Sequence, residues 1–217
     1  MSAACCAPAP PSQEKPGSRA AATYRKVLWA ALAINALMFV VEVAAGLDAR
    51  SVSLLADSVD FLGDAANYGV SLFVLGMALK WRARAALLQG SCMAVFGLWI
   101  LGVTAHNALA GALPDAPVMG AVSVLALVAN AGVALMLYRH REGDSNMRSV
   151  WICSRNDAIG NVAVMLAAFG VFGTGSGWPD LAVGAIMAAL ALSGAFQVIR
   201  HALADLRPPA ATLSAAE

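Results

Sequence analysis

Charged side chains are scarce in this sequence. Only 12% of its 217 residues are Asp, Glu, Lys or Arg, where a soluble domain carries about 25%. With 60% hydrophobic residues, the chain lacks the polar groups to cover a water-facing surface, so lipid is its natural solvent. Cysteine is sparse too. Of four, Cys5 and Cys6 are adjacent near the N-terminus, and Cys92 and Cys153 fall inside apolar stretches; that is no disulfide framework. Residues 1–23 have no apolar segment of the kind a secretory leader needs. A net charge of +1 supplies no basic surface for nucleic acid. No P-loop, HExxH or Ser/His/Asp arrangement is present. The chain is therefore expected to be no enzyme, to hold no cofactor and to bind no nucleic acid.

What is present is length without charge. Apolar spans run over about 27–46, 54–79, 85–110, 118–138, 150–172 and 181–199. Each is near the ~20 residues that cross ~30 Å of hydrocarbon. The expected fold is an all-α membrane protein, a bundle of six transmembrane helices. Its divisions are a disordered, Ala/Pro/Ser-rich tail over 1–23, a transport domain over 24–204 and a short tail over 205–217. Twelve of the fourteen Lys and Arg lie in the N-terminal tail, the 80–84 and 139–148 loops and the C-terminal tail. Positive charge gathers on the cytoplasmic side, and an even number of crossings returns the chain to it. Both termini are thus expected in the cytoplasm, with the protein in the cell membrane.

Against this apolar background the acids stand out. Asp57, Asp60 and Asp64 follow one another at i, i+3 and i+7, which places them on one helix face. A single carboxylate near the bilayer centre costs about 2.5–3.5 kcal/mol on the lenient scale. Three on one stripe also repel each other when ionised, so a bound cation, protons or a basic partner must offset them. Asp57, one turn nearer the membrane edge, suits a helix-start role as well as ligation. In the fifth span Cys153 and Asp157 are four apart, and Asn161 extends their stripe by a turn. Two helices that each offer two donors one turn apart can build the tetrahedral site that zinc-like ions take; a thiolate favours soft ions. In the first span Asn35 and Glu42 share a face, and Glu42 suits an ion pathway or a proton relay.

These residues resemble the cation diffusion facilitator family. The resemblance is carried by Asn35, Glu42 and Gly46 in the first span. It continues through Ser53-Leu54-Leu55-Ala56-Asp57, Asp60 and Asp64-Ala65 in the second, and Cys153, Asp157-Ala158 and Gly160 in the fifth. It covers about residues 24–204. The resemblance implies cation efflux by metal/proton antiport, in a membrane-embedded homodimer. The ion transport is of divalent metal, zinc above all, with cadmium or cobalt as further cargo. Carried over by position, the metal ligands are Asp60, Asp64, Cys153 and Asp157. Cys153 stands where the family often has His, so Asn156 or Asn161 remains an alternative fourth ligand. Asp57, Asn156, Asn161, Glu42 and Asn35 are accessory candidates. Family members usually continue into a cytoplasmic metal-binding domain after the sixth helix. The 18 residues after Ile199 are too few for one, and a short form is expected. Two other functions fit the same acids: proton-coupled export of organic cations, and a non-transporting metal sensor or scaffold.

Overall fold

A computed structural model describes residues 19–73, 78–138 and 145–206; within these, the side chains of 19–21, 79, 82 and 145–156 are not described. Cys5, Cys6 and His140 lie outside the described residues, and so do most of both expected tails. Six helices follow one another: α1 (Arg19–Asp48), α2 (Val52–Phe73), α3 (Leu79–Ala110), α4 (Ala116–Tyr138), α5 (Ser145–Thr174) and α6 (Trp178–Leu206). Among the described residues there is no strand. Five of the six, all but α2, contain a stretch long and apolar enough to cross a membrane. With 22 residues, α2 spans about 33 Å at 1.5 Å per residue, so length does not disqualify it; its three aspartates lower its apolarity. Helix α1 starts at Arg19, well before the apolar span, because its first turns need no apolar side chains to close backbone hydrogen bonds.

The surface and the interior are reversed relative to a water-soluble protein. Leu37, Leu88, Val95, Leu109, Leu135, Phe169 and Phe172 are exposed, while Asn35, Glu42, Asp57, Asn130 and Asn161 are buried. Exposed leucines and phenylalanines around the whole bundle are what lipid tails solvate, and buried polar groups in such bundles mark function. The protein is a multi-pass membrane protein. Trp81 and Trp178 are exposed near the starts of α3 and α6, as interfacial tryptophans are. Trp99 lies deep within α3 instead, stacked edge-on against Phe96 at 5.9 Å.

Helix α2 is the hub. It touches each of the other five helices, and among the described residues no other helix does so. Helices α1, α2, α4 and α5 form a four-helix group, and α3 pairs with α6 beside it. The largest apolar cluster ties the groups together through Leu54, Leu55 and Val59 of α2, Met93 and Ile100 of α3, and Met187, Ala188 and Ala191 of α6. Two smaller clusters join α1, α2 and α4: Ala31 with Tyr68 and Val133, and Met38 with Phe61 and Ala126.

Small residues permit the closest approaches. A Cβ on Gly184 of α6 would fall 2.8 Å from the carbonyl carbon of Val52, a backbone atom that cannot rotate away. The turn between α1 and α2 is equally tight, with Arg50 in the left-handed region at φ 54°. The loop before α4 and the last turn of α3 hold it: Asp115 N donates to Ala49 O at 3.0 Å, and Asn107 Nδ2 to Arg50 O at 3.3 Å. Gly184→Ala should destabilise the protein by about 1–3 kcal/mol, as overpacking does. Thermal unfolding in detergent checks this. Gly194→Ala, where a Cβ would meet nothing within 4 Å, should leave the midpoint unchanged.

Candidate metal centre

The aspartate face of α2 points into the bundle because its other positions, Leu54, Leu55, Val59 and Phe61, are taken up by apolar neighbours. Asp57 is 1% exposed and Asp64 6% exposed, while Asp60 between them is partly exposed. Asp157, on α5, is 7% exposed. Glu42 and Asn35 of α1 are fully buried on the face turned toward α2 and α4.

The acids stand in pairs. Asp64 and Asp157 face each other across α2 and α5. Glu42 faces Asp57 across α1 and α2, although neither Glu42 oxygen forms a well-directed hydrogen bond. Asp60 interacts electrostatically with both Asp57 and Asp64. Like charges facing each other in a dry site cannot both stay ionised without a neutralising partner. The structure thus brings Asp60, Asp64 and Asp157 to one region. Among the described residues, no three His, Cys, Asp or Glu side chains converge closely enough to enclose an ion. The side chains of Cys153 and Asn156 lie outside the described residues.

Polar groups from three helices hold the acids in place. Tyr68, one turn after Asp64, donates its hydroxyl to Asp64 Oδ2 at 3.0 Å. Asn161 of α5 donates Nδ2 to Asp57 Oδ2, and Asn130 of α4 donates Nδ2 to Asn161 Oδ1 at 2.9 Å. Both polar atoms of Asn161 are therefore engaged, one of them in orienting Asp57. Asn35 donates to Ala31 O at 2.8 Å. Its Oδ1, like that of Asn130, is buried without a partner among the described residues. The small clusters bracket these groups: Asn35 lies between Ala31 and Met38, Asp64 between Phe61 and Tyr68, and Asn130 between Ala126 and Val133. The three polar side chains therefore share one level, a polar layer sandwiched by apolar ones.

Among the described residues no basic side chain balances this charge. Every Lys, Arg and His whose side chain is described is exposed, His106 and His201 included. Of the three ways to offset the acids, a basic partner is absent among the described residues.

Tyr68, Asn130 and Asp180 were not singled out from the sequence. Tyr68 stands at i+4 from Asp64, a spacing that predicts contact on a helix. Asn130 is a lone amide in an apolar span, where polar side chains find partners on other helices. Asp180 is 1% exposed, remote from the other acids in sequence, and bonded to the start of α2.

Residues 28–207 match the cation efflux transmembrane domain. The chain is also 31% identical over 131 residues to metal tolerance protein A2 of Arabidopsis thaliana, a match that covers 54% of this chain and 33% of that protein. It is 23% identical to a cadmium, cobalt and zinc/H(+)-K(+) antiporter of Bacillus subtilis, over 82% of this chain and 62% of the relative. A protein of the same description from Bacillus velezensis is 22% identical, over 86% of this chain and 64% of the relative. The chain thus spans between a third and about two thirds of the length of these relatives. The matched region takes in α2, α5 and every acid described above, and the chain belongs to the cation efflux, or cation diffusion facilitator, family of membrane transporters of divalent metal ions.

Proposed function

We propose that the protein is a secondary transporter that exports a zinc-like divalent ion from the cytoplasm in exchange for protons. In this reading it works as a six-span homodimer of the cell membrane with both termini cytoplasmic. One observation carries the reading: buried or half-buried acids on α1, α2 and α5 face one another with no described cationic side chain among them. Such a cluster is stable only when protons or a metal ion neutralise it. Relatives named for cadmium, cobalt and zinc antiport favour the metal.

The ligands in this reading are Asp60, Asp64 and Asp157, with Cys153 as the fourth. Asp60, with no hydrogen bond from a described residue and partial exposure, is the first of them an arriving ion would meet. Asp64 and Asp157, facing each other across two helices, close around it. Tyr68 restrains the Asp64 carboxylate so that less ordering remains to be done there on binding. The metal requires deprotonated ligands, so protons and metal compete for the same oxygens. Protons from outside displace the ion outward, and cytoplasmic metal displaces the protons. Rocking of the helices exposes the site to each side in turn. Glu42 and Asp57, one pair removed from this set, suit a relay that passes protons along the interior.

Two outcomes are expected of the full chain in proteoliposomes. An inward zinc gradient should drive proton release that a pH-sensitive dye reports, and Asp64→Ala should abolish it; wild-type-like exchange in that variant removes Asp64 from the site. Cys153→Ser should lower cadmium transport more than zinc transport, changing their ratio by about tenfold through loss of a soft ligand. An unchanged ratio in a panel of ions assigns the fourth position to another residue, and metal binding without flux makes the protein a sensor.

A further inference from the structure

Asp180 lies apart from the acids of the metal centre and is densely hydrogen-bonded. It stands in the first turn of α6. Its Oδ1 accepts from Ser51 Oγ at 2.7 Å, Ser53 Oγ at 2.5 Å and Ser53 N at 3.0 Å. Its Oδ2 accepts from Val52 N at 2.9 Å. Four donors thus converge on one carboxylate, one from Ser51 just before α2 and three from its first two residues.

A helix start leaves its first N–H groups without intrahelical acceptors. Usually a side chain just before the helix serves one of them. Ser51 does so here for Leu54 N at 3.2 Å. The amides of Val52 and Ser53 are served from another helix altogether. The anion also lies at the positive ends of two helix dipoles, those of α2 and α6. One turn further along α6, Gly184 lets its backbone meet Val52 and Ser53, so the bond network and the close approach coincide.

This junction connects the two groups of helices. Helix α6 belongs to the α3–α6 pair, and α2 carries Asp57, Asp60 and Asp64 within the four-helix group. Asp60 is eight residues from Val52, about 12 Å along the helix axis. A shift of the start of α2 is passed to the aspartates as a shift of the whole rod. Further along α2, Gln89 of α3 donates to Gly63 O and Asn67 Oδ1, each at 3.2 Å.

We propose that Asp180 is a positioning residue for transport, which pins the start of α2 to α6 and makes that end of the bundle the fixed pivot about which the metal-bearing helix moves. It touches neither the ion nor its ligands and acts through α2. The transport readout of this proposal rests on the function proposed above; the pinning itself does not.

The test uses the full chain with Cys5, Cys6 and Cys92 changed to Ser, in lipid nanodiscs and proteoliposomes. Asp180→Asn keeps the shape but turns an amide N–H₂ toward the donors. It should speed hydrogen exchange at Val52–Leu54 by about tenfold, the scale of a lost charge-assisted hydrogen bond. Zinc binding by calorimetry should stay within about threefold of the parent, while zinc turnover falls about tenfold. The double variant Ser53→Cys, Asp180→Cys replaces the hydrogen bonds by a covalent tie. Reduced, it should be as slow as Asp180→Asn; oxidised, with the disulfide verified by mass spectrometry, it should recover to within about threefold of the parent. Unchanged exchange and turnover in Asp180→Asn overturns the proposal. So does an oxidised double variant that binds zinc yet remains slow, because that end must then separate during transport. A parent that moves no zinc defeats the transport reading alone, and the exchange rates still decide whether Asp180 pins α2.

Discussion

Carboxyl groups inside an apolar bundle impose the constraint on which the rest of this structure depends. Glu42, Asp57, Asp64 and Asp157 are buried, Asp60 is half-buried, and every described Lys, Arg and His is on the outside. A water-filled surface would screen such charges; a lipid-embedded interior does not. Only partners that come and go, protons or cations, can neutralise them without adding a permanent positive charge to the core. The membrane-facing shell of leucine, valine and phenylalanine keeps that condition in force by excluding water from the sides.

The surrounding polar residues divide the labour of holding the acids. Asn130, Asn161 and Tyr68 spend their donors on one another and on Asp57 and Asp64. Those bonds link α4, α5 and α2 into one network that holds Asp57 in place, while Tyr68 holds Asp64. Buried networks of this kind are rigid when satisfied and destabilising when broken. Several acceptors, on Asn35, Asn130 and Glu42, are left over, and an interior rich in unpaired acceptors favours a visiting cation. Asp180 is the contrast: an acid equally buried but saturated by four donors, which leaves it no capacity for an ion and makes it a structural anchor.

Much of the site was legible from spacing. The i, i+3, i+7 aspartates of α2 share a face because 3.6 residues complete a turn, and that face was bound to turn inward because lipid rejects it. The same logic placed Asn35 and Glu42 together on α1 and Asp157 with Asn161 on α5. What spacing could not supply was the pairing. Glu42 faces Asp57 first and Asp60 beyond it, and Asn161 is occupied with Asp57 and Asn130. Those partnerships depend on the rotation and height of each helix against its neighbours, and the packing of Met38, Phe61, Ala126, Tyr68 and Val133 decides both.

By itself the sequence determined the solvent, the helical class and the chemical character of the interior. Each follows from composition and short-range periodicity, which are local properties of the chain. The family followed too, because its motifs lie within single helices. Only the tertiary structure decided that α2 is the hub touching all five other helices, and that Asp180 caps it from 127 residues away. Contacts over such distances arise when whole helices settle against one another, through a glycine that admits a backbone and a carboxylate that meets stray amides. No local pattern encodes where those two surfaces will meet.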